Sequence, residues 1–160
     1  MILKVRDIMS ASPKTVESRM SLPDLERRFL EDQISGFPVV DANRLVGIVS
    51  RSDIIRQLSV EHGLGEVIAD YFRVQQDAPT SDVATIADHV GRRMEGLHVK
   101  DVMINRLITV APDVSVVEVA TLFLERKIHR LLVVEDGELL GIVSTMDLVR
   151  LVAEESLGSA

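Results

Sequence analysis

Gly47-Ile48-Val49-Ser50-Arg51-Ser52-Asp53 reappears as Gly141-Ile142-Val143-Ser144-Thr145-Met146-Asp147. Each stretch is an apolar, β-branched run that ends in a hydroxyl, with a carboxylate three residues later. The run predicts a strand, and Ser-x-x-Asp predicts the start of a helix. Displacing the chain by 94 positions extends the match without a gap, from Val5-Arg6-Asp7-Ile8-Met9 on Val99-Lys100-Asp101-Val102-Met103 to Arg56 on Arg150. Thr15-Val16 falls on Thr109-Val110, Phe29-Leu30-Glu31 on Phe123-Leu124-Glu125, Ile34 on Ile128, and Val39-Val40 on Val133-Val134. The chain is built twice. A solenoid stacks about three or more units, so two copies are expected to pack face to face about a pseudo-twofold axis.

Within a copy the periodicity changes in a fixed order. Lys14 to Val16 reads as a short strand after Pro13. A helix opens near Ser21, with Pro23 tolerated in its first turn and Leu22, Leu25, Phe29 and Leu30 on one face. The matching stripe is Val116, Val119, Ala120, Phe123 and Leu124. Phe37 to Val40 and Leu45 to Ser50, joined by Asp41-Ala42-Asn43-Arg44, predict a hairpin. Leu131 to Val134 and Leu139 to Ser144, joined by Glu135-Asp136-Gly137-Glu138, predict another. A second helix follows, from Ser52 to about Leu58 and from Met146 to about Ala153. The copy is strand, helix, strand, strand, helix, an α/β unit.

Residues 60–97 have no twin. Glu66 to Phe72 reads as helical and Gln75 to Thr80 as a polar break. Ser81 or Asp82 is a candidate cap for a helix carrying Val83, Ile86, Val90 and Met94 and ending at Gly96. The expected organisation is a first repeat over 1–59, an ordered helical insertion over 60–97, a second repeat over 98–155 and a tail over 156–160.

At 160 residues the chain is one ordinary domain or two small ones sharing a core, burying roughly 70% of its unfolded surface. With Cys 0 there is no thiolate nucleophile, disulfide or cysteine zinc site, which fits a reducing compartment; a cytoplasmic location is the expectation. No apolar run approaches the ~20 residues of a membrane span, and the first ten residues hold no signal-like apolar core. A formal charge of -7 and 3% aromatic content argue against nucleic acid, which needs clustered cations and stacking platforms.

The doubled V-x-D-[IV]-M start, the [IL]-x-x-x-[LP]-V-V strand and the G-[IV]-V-S-x-x-D junction resemble a tandem CBS domain pair, or Bateman module, over Val5 to Leu58 and Val99 to Val152. The resemblance implies two pseudo-twofold β-α-β-β-α repeats that bind an adenosine ligand (AMP, ADP, ATP or S-adenosylmethionine, with or without Mg²⁺) in the cleft between them and commonly pair into a flat homodimer. It implies a regulatory sensor that needs no resident cofactor and does no catalysis of its own.

A helix start carries unpaired N–H groups and the positive end of the helix dipole, which suits an anion. The amides of residues 51 to 53 with the Ser50 hydroxyl can receive a phosphate, and Asp53 can accept from vicinal ribose hydroxyls. In the resembling family the Asp of this motif contacts ribose and the hydroxyl lies by the phosphate; Ser50, Asp53, Ser144 and Asp147 match those positions. The same four residues also read as capping boxes that need no ligand.

His129 and Arg130 match a basic pair that the family aims at phosphates, where the first copy has Ser35 and Gly36. This implies that the two sites tolerate different phosphate charge. A surface salt bridge from Arg130 to Glu125 or Glu135 is the competing reading. Arg51, whose twin is Thr145, is a phosphate candidate or an exposed helix-start residue. Thr15 and Thr109 are ligand-side or merely strand residues. Gly36, Phe37 and Pro38, with Arg130, Leu131 and Leu132, occupy the base-reading region, where Phe37 and Leu131 also read as core. His62, His89, His98 and His129 lack metal-ligand spacing. Neither a G-x-S-x-G elbow nor a P-loop is present. The competing functions are a ligandless dimerisation scaffold and the regulatory fragment of a larger transporter or enzyme.

Overall fold

The computed structural model describes residues 2–75 and 90–157. The expected break at 76–80 and the helix start at 81 or 82 lie outside them, but residues 90–95 are helical as the Val90–Met94 stripe predicts. The described chain forms two compact units: one takes residues 1–15, 40–47 and 105–160, the other 16–39 and 48–104. Each unit joins the body of one copy to the leading segment of the other.

In the first unit, α1 (Val5–Ile8) and β1 (Ser10–Ala11) come from the front of the chain. They meet β4 (Thr109–Val110), α5 (Val116–Arg126), β5 (Arg130–Glu135), β6 (Glu138–Ser144) and α6 (Thr145–Leu157) of the second copy. β4 runs parallel to β5, which runs antiparallel to β6; β1 pairs with β6 through Ser10 opposite Ile142. The Arg44 end of the first hairpin lies beside Glu138. Val5, Val119, Phe123, Leu131, Val133 and Val143 form the core. Val5 is locked in by its N–H on the Val114 carbonyl at 2.9 Å, while Asp7 caps its own short helix through the Lys4 N–H at 2.9 Å.

In the second unit the roles are exchanged. α2 (Leu22–Asp32) and the bases of β2 (Gly36–Asp41) and β3 (Arg44–Ser50) come from the first copy, α3 (Arg51–Gln75) follows them, and α4 (Val99–Val102) leads the second copy. Val99 N–H donates to the Met20 carbonyl at 2.9 Å, and Asp101 caps the His98 N–H at 2.8 Å. Leu25, Phe29, Phe37, Val39, Val49 and Val99 are buried here, the positions matching the other core. Phe29 and Phe37 stack with centroids 5.2 Å apart.

The helix starts and hairpins follow the sequence reading. Ser21 caps α2 by accepting the Asp24 N–H, and Ser115 forms a full capping box with Glu118. Both hairpins turn on two residues of positive φ, Ala42 and Asn43 in one, Asp136 and Gly137 in the other, the turn whose twist matches paired strands.

Four expectations are corrected. Lys14 to Val16 makes no strand: Val16 forms only an isolated parallel bridge to Val39, and the short strand is Ser10–Ala11. Leu30 and Leu124 leave the core face, 73% and 80% exposed, because the buried stripe is already complete with Phe29 and Phe123. The helix expected to stop near Leu58 continues to Gln75, and its twin reaches Leu157. Glu66 to Phe72 is therefore an interior stretch of α3. Inside the second unit, Glu61 is buried, accepts from Gln57 Nε2 at 3.0 Å and has Arg93 Nε 2.5 Å from its other oxygen, off the hydrogen-bond line. Among the described residues no helix is long and apolar enough to cross a membrane.

Candidate functional site

Each copy carries the same device where its second hairpin strand becomes a helix. In the first, β3 ends at Ser50, and Asp53, in the first turn of α3, folds back on it. Asp53 Oδ2 accepts the Ser50 N–H at 2.8 Å and the Ser50 hydroxyl at 2.7 Å. In the second, Asp147 Oδ2 accepts the Ser144 N–H at 2.7 Å and its hydroxyl at 2.6 Å. Half of the capping reading therefore holds in both copies: the aspartate caps the serine N–H, while the serine hydroxyl donates to the carboxylate and takes no helix amide. It leaves the serine oxygens with acceptor capacity and each carboxylate with a second oxygen, Oδ1.

The surroundings of Oδ1 differ. Asp53 is 3% exposed and its Oδ1 accepts from Arg56 Nη1 at 2.9 Å. Asp147 has a side chain 10% exposed, and Arg150 Nη1 stands 3.6 Å from its Oδ1, an ion pair beyond hydrogen-bond reach. Arg56 and Arg150 were absent from the sequence-derived site. Their signal was present, since they close the gapless self-match three residues after each aspartate, on the same helix face.

The amides are less open than expected. Arg51 N–H donates to the Ser35 carbonyl and Thr145 N–H to the His129 carbonyl, both at 3.1 Å. The first helical amide of each copy is thus spent on the loop before the hairpin, because that loop must be tied to the junction. An anion there would have only the next two first-turn amides, which no helix satisfies internally.

Arg51 is an exposed helix-start residue, as one of its two readings has it, but its guanidinium is not idle. Its Nη2 donates to the Phe29 carbonyl at 2.8 Å and its guanidinium lies 5.6 Å from the Phe29 ring centre. It closes the end of α2. Arg130 is exposed, directly opposite Ser144 in the β5–β6 ladder. It has no hydrogen-bond or ion-pair partner among the described residues, so the bridge to Glu125 or Glu135 of the competing reading is not made. Gly36 occupies the same place in the first hairpin: a Cβ built on it would lie 3.7 Å from Ser50 Cβ and 3.3 Å from the Val49 carbonyl.

The remaining residues divide by unit. Gly36, Phe37, Pro38, Ser50, Arg51 and Asp53 belong together in one, but Thr15 belongs to the other. Thr109, His129, Arg130, Leu131, Leu132, Ser144, Thr145 and Asp147 all share that other unit, with Thr109 paired to Leu132. Phe37 and Leu131 are core side chains, leaving only their backbone for a ligand. No cluster of three or more metal-ligating side chains occurs among the described residues.

The CBS domain family model matches residues 5–60 and 99–154. The chain is 32% identical to the uncharacterized protein MJ1426 of Methanocaldococcus jannaschii, over 92% of this chain and 90% of that one. It is 30% identical to an inosine-5'-monophosphate dehydrogenase of Korarchaeum cryptofilum, over 89% of this chain but only 22% of that protein. Among solved structures it resembles CBSX2 of Arabidopsis thaliana, determined in complex with AMP. There the TM-score is 0.69 at 26% identity, covering 96% of this chain and 98% of that one.

Proposed function

The chain belongs to the CBS domain family, with one domain in each of its two copies, and on that premise we propose that it is a regulatory module that binds an adenosine-type ligand. The ligand class is AMP, ADP, ATP or S-adenosylmethionine. The aspartates Asp53 and Asp147 receive ribose hydroxyls on Oδ1, and Ser50 and Ser144 stand beside the 5′ substituent. The observation that carries this reading is the recurrence of one serine–aspartate device in both copies, each keeping an aspartate Oδ1 with acceptor capacity after the helix has been capped. The AMP complex of CBSX2 supports the ligand class.

Ligand binding can signal only through a difference in affinity between two arrangements of the protein. A homodimer is the natural reader. Ile55 and Leu58 on α3, and Met146 and Val149 on α6, are exposed large apolar residues at helical spacing. Ile55 and Val149 are twins in the repeat, so both helices present the same apolar line, suited to a second copy of the chain.

The test is isothermal titration of the stripped protein with AMP, ADP, ATP and S-adenosylmethionine, with and without Mg²⁺. Saturable binding of one of them supports the sensor; silence across the panel sinks it. The second reading, a ligandless dimerisation scaffold, is favoured by the capping bonds themselves, which give Ser50 and Ser144 a purely structural task. Thermal denaturation separates the two, since a ligand of the folded state must raise the midpoint.

A further inference from the structure

An ionised carboxylate offers about four lone-pair positions, two on each oxygen. In both copies Oδ2 is full, since it accepts the serine N–H and the serine hydroxyl at once. A ligand that carries no group to draw the serine hydroxyl away must therefore donate to Oδ1. Vicinal hydroxyls bring two donors, and they need both positions of that oxygen.

Only one copy has both to give. Arg56 Nη1 donates to Asp53 Oδ1 at 2.9 Å, which leaves one position there. With Asp53 buried, this charge-assisted bond is shielded from water at its acceptor end. Arg150 Nη1 stands 3.6 Å from Asp147 Oδ1, beyond hydrogen-bond reach, and leaves two. The arginines are twins in the repeat, but the more open Asp147 holds its own less closely.

Resting on the adenosine reading above, we infer that Arg56 is a specificity residue, because it occupies the acceptor that a second ribose hydroxyl needs. The Ser50–Asp53 copy takes the sugar by one hydroxyl and tolerates its deoxy form. The Ser144–Asp147 copy takes it by two and rejects that form, since a missing hydroxyl leaves a charged acceptor unpaired. A ribose that delivers both hydroxyls to the first copy must displace the arginine.

The experiment uses the full ¹⁵N-labelled chain, in which the amide signals of Ser50 and Ser144 follow the two copies separately. Wild type, Arg56→Met and Arg150→Met are titrated with adenosine, 2′-deoxyadenosine and 3′-deoxyadenosine. Methionine keeps an apolar stem and removes every donor; both arginines are exposed, and unchanged thermal midpoints of the unliganded variants verify the fold. In wild type the second copy is expected to weaken about tenfold or more on loss of either hydroxyl. The first copy is expected to bind at least one deoxy compound as tightly as adenosine. Arg56→Met should tighten adenosine at the first copy by up to about fivefold and give that copy the discrimination of the second, while Arg150→Met changes neither. Affinities for the three compounds that Arg56→Met shifts equally, or not at all, overturn the inference and leave the adenosine reading standing. Wild type that binds none of the three also overturns it, and if AMP is silent in the same assay the adenosine reading falls with it.

Discussion

Asp53 takes two hydrogen bonds from a single residue: its Oδ2 accepts both the main-chain N–H and the hydroxyl of Ser50, at 2.8 and 2.7 Å. The carboxylate that is the best candidate for holding a ribose is therefore also what joins β3 to α3. Loss of ligand affinity on its removal cannot be read without a stability measurement beside it.

Asp53→Ala leaves a partly buried N–H and hydroxyl without their acceptor, a loss of about 1–3 kcal/mol. Asp147→Ala is expected to cost less, since its site is more open. Urea denaturation checks both. A change below about 0.5 kcal/mol for Asp53→Ala would show that the junction does not depend on this carboxylate. Asp→Asn, which keeps an acceptor for the serine N–H, is the better variant for titration.

Gly137 sits at φ +85, and a Cβ there would run into the Arg44 guanidinium. Gly137→Ala should cost about 1 kcal/mol, mostly from the left-handed backbone, because the arginine end can swing aside. Its twin Asn43, at φ 65, already shows which non-glycine residue tolerates the position. A Gly137→Asn variant should accordingly be less damaged than Gly137→Ala in the same denaturation assay; the reverse order would refute the backbone argument.

Val149→Asp places a charge on the apolar line of α6 without disturbing the core, since Val149 is exposed. If α3 and α6 pair with a second copy, sedimentation velocity should show a dimer for wild type and a monomer for this variant, with the folded far-ultraviolet spectrum retained. A wild-type monomer at all accessible concentrations would remove the dimer from the proposal.

The Ser115 hydroxyl, and then the Ser115 main-chain N–H, hold the Glu118 carboxyl below the usual glutamate range. A carboxyl depressed in the folded state adds stability that is complete above its unfolded value, about pH 4.3, and is lost as pH falls through the folded value. The stability difference between wild type and Ser115→Ala should therefore shrink as pH drops from about 5 to 3. Carboxyl-detected NMR titration should show the Glu118 midpoint rising in the variant. A midpoint that stays put would mean the capping box does not bind the charged form.

What the sequence by itself determined are the features written in local chemistry. The 94-position repeat, the helix start at Ser21, the two hairpins and the serine–aspartate spacing all rest on periodicity, capping and backbone preference within a few residues, although the turns, read as four residues, close on two. The tertiary structure alone decided which partner each element takes. A repeat offers every leading helix two equivalent docking places, and only packing chose the exchanged one, with Val5 in the core of the second copy and Val99 in that of the first. It also turned Leu30 and Leu124 outward, bound Arg51 to Phe29 and left Arg130 facing Ser144. Side-chain direction and the choice between competing partners depend on contacts distant in the chain, which no local pattern encodes.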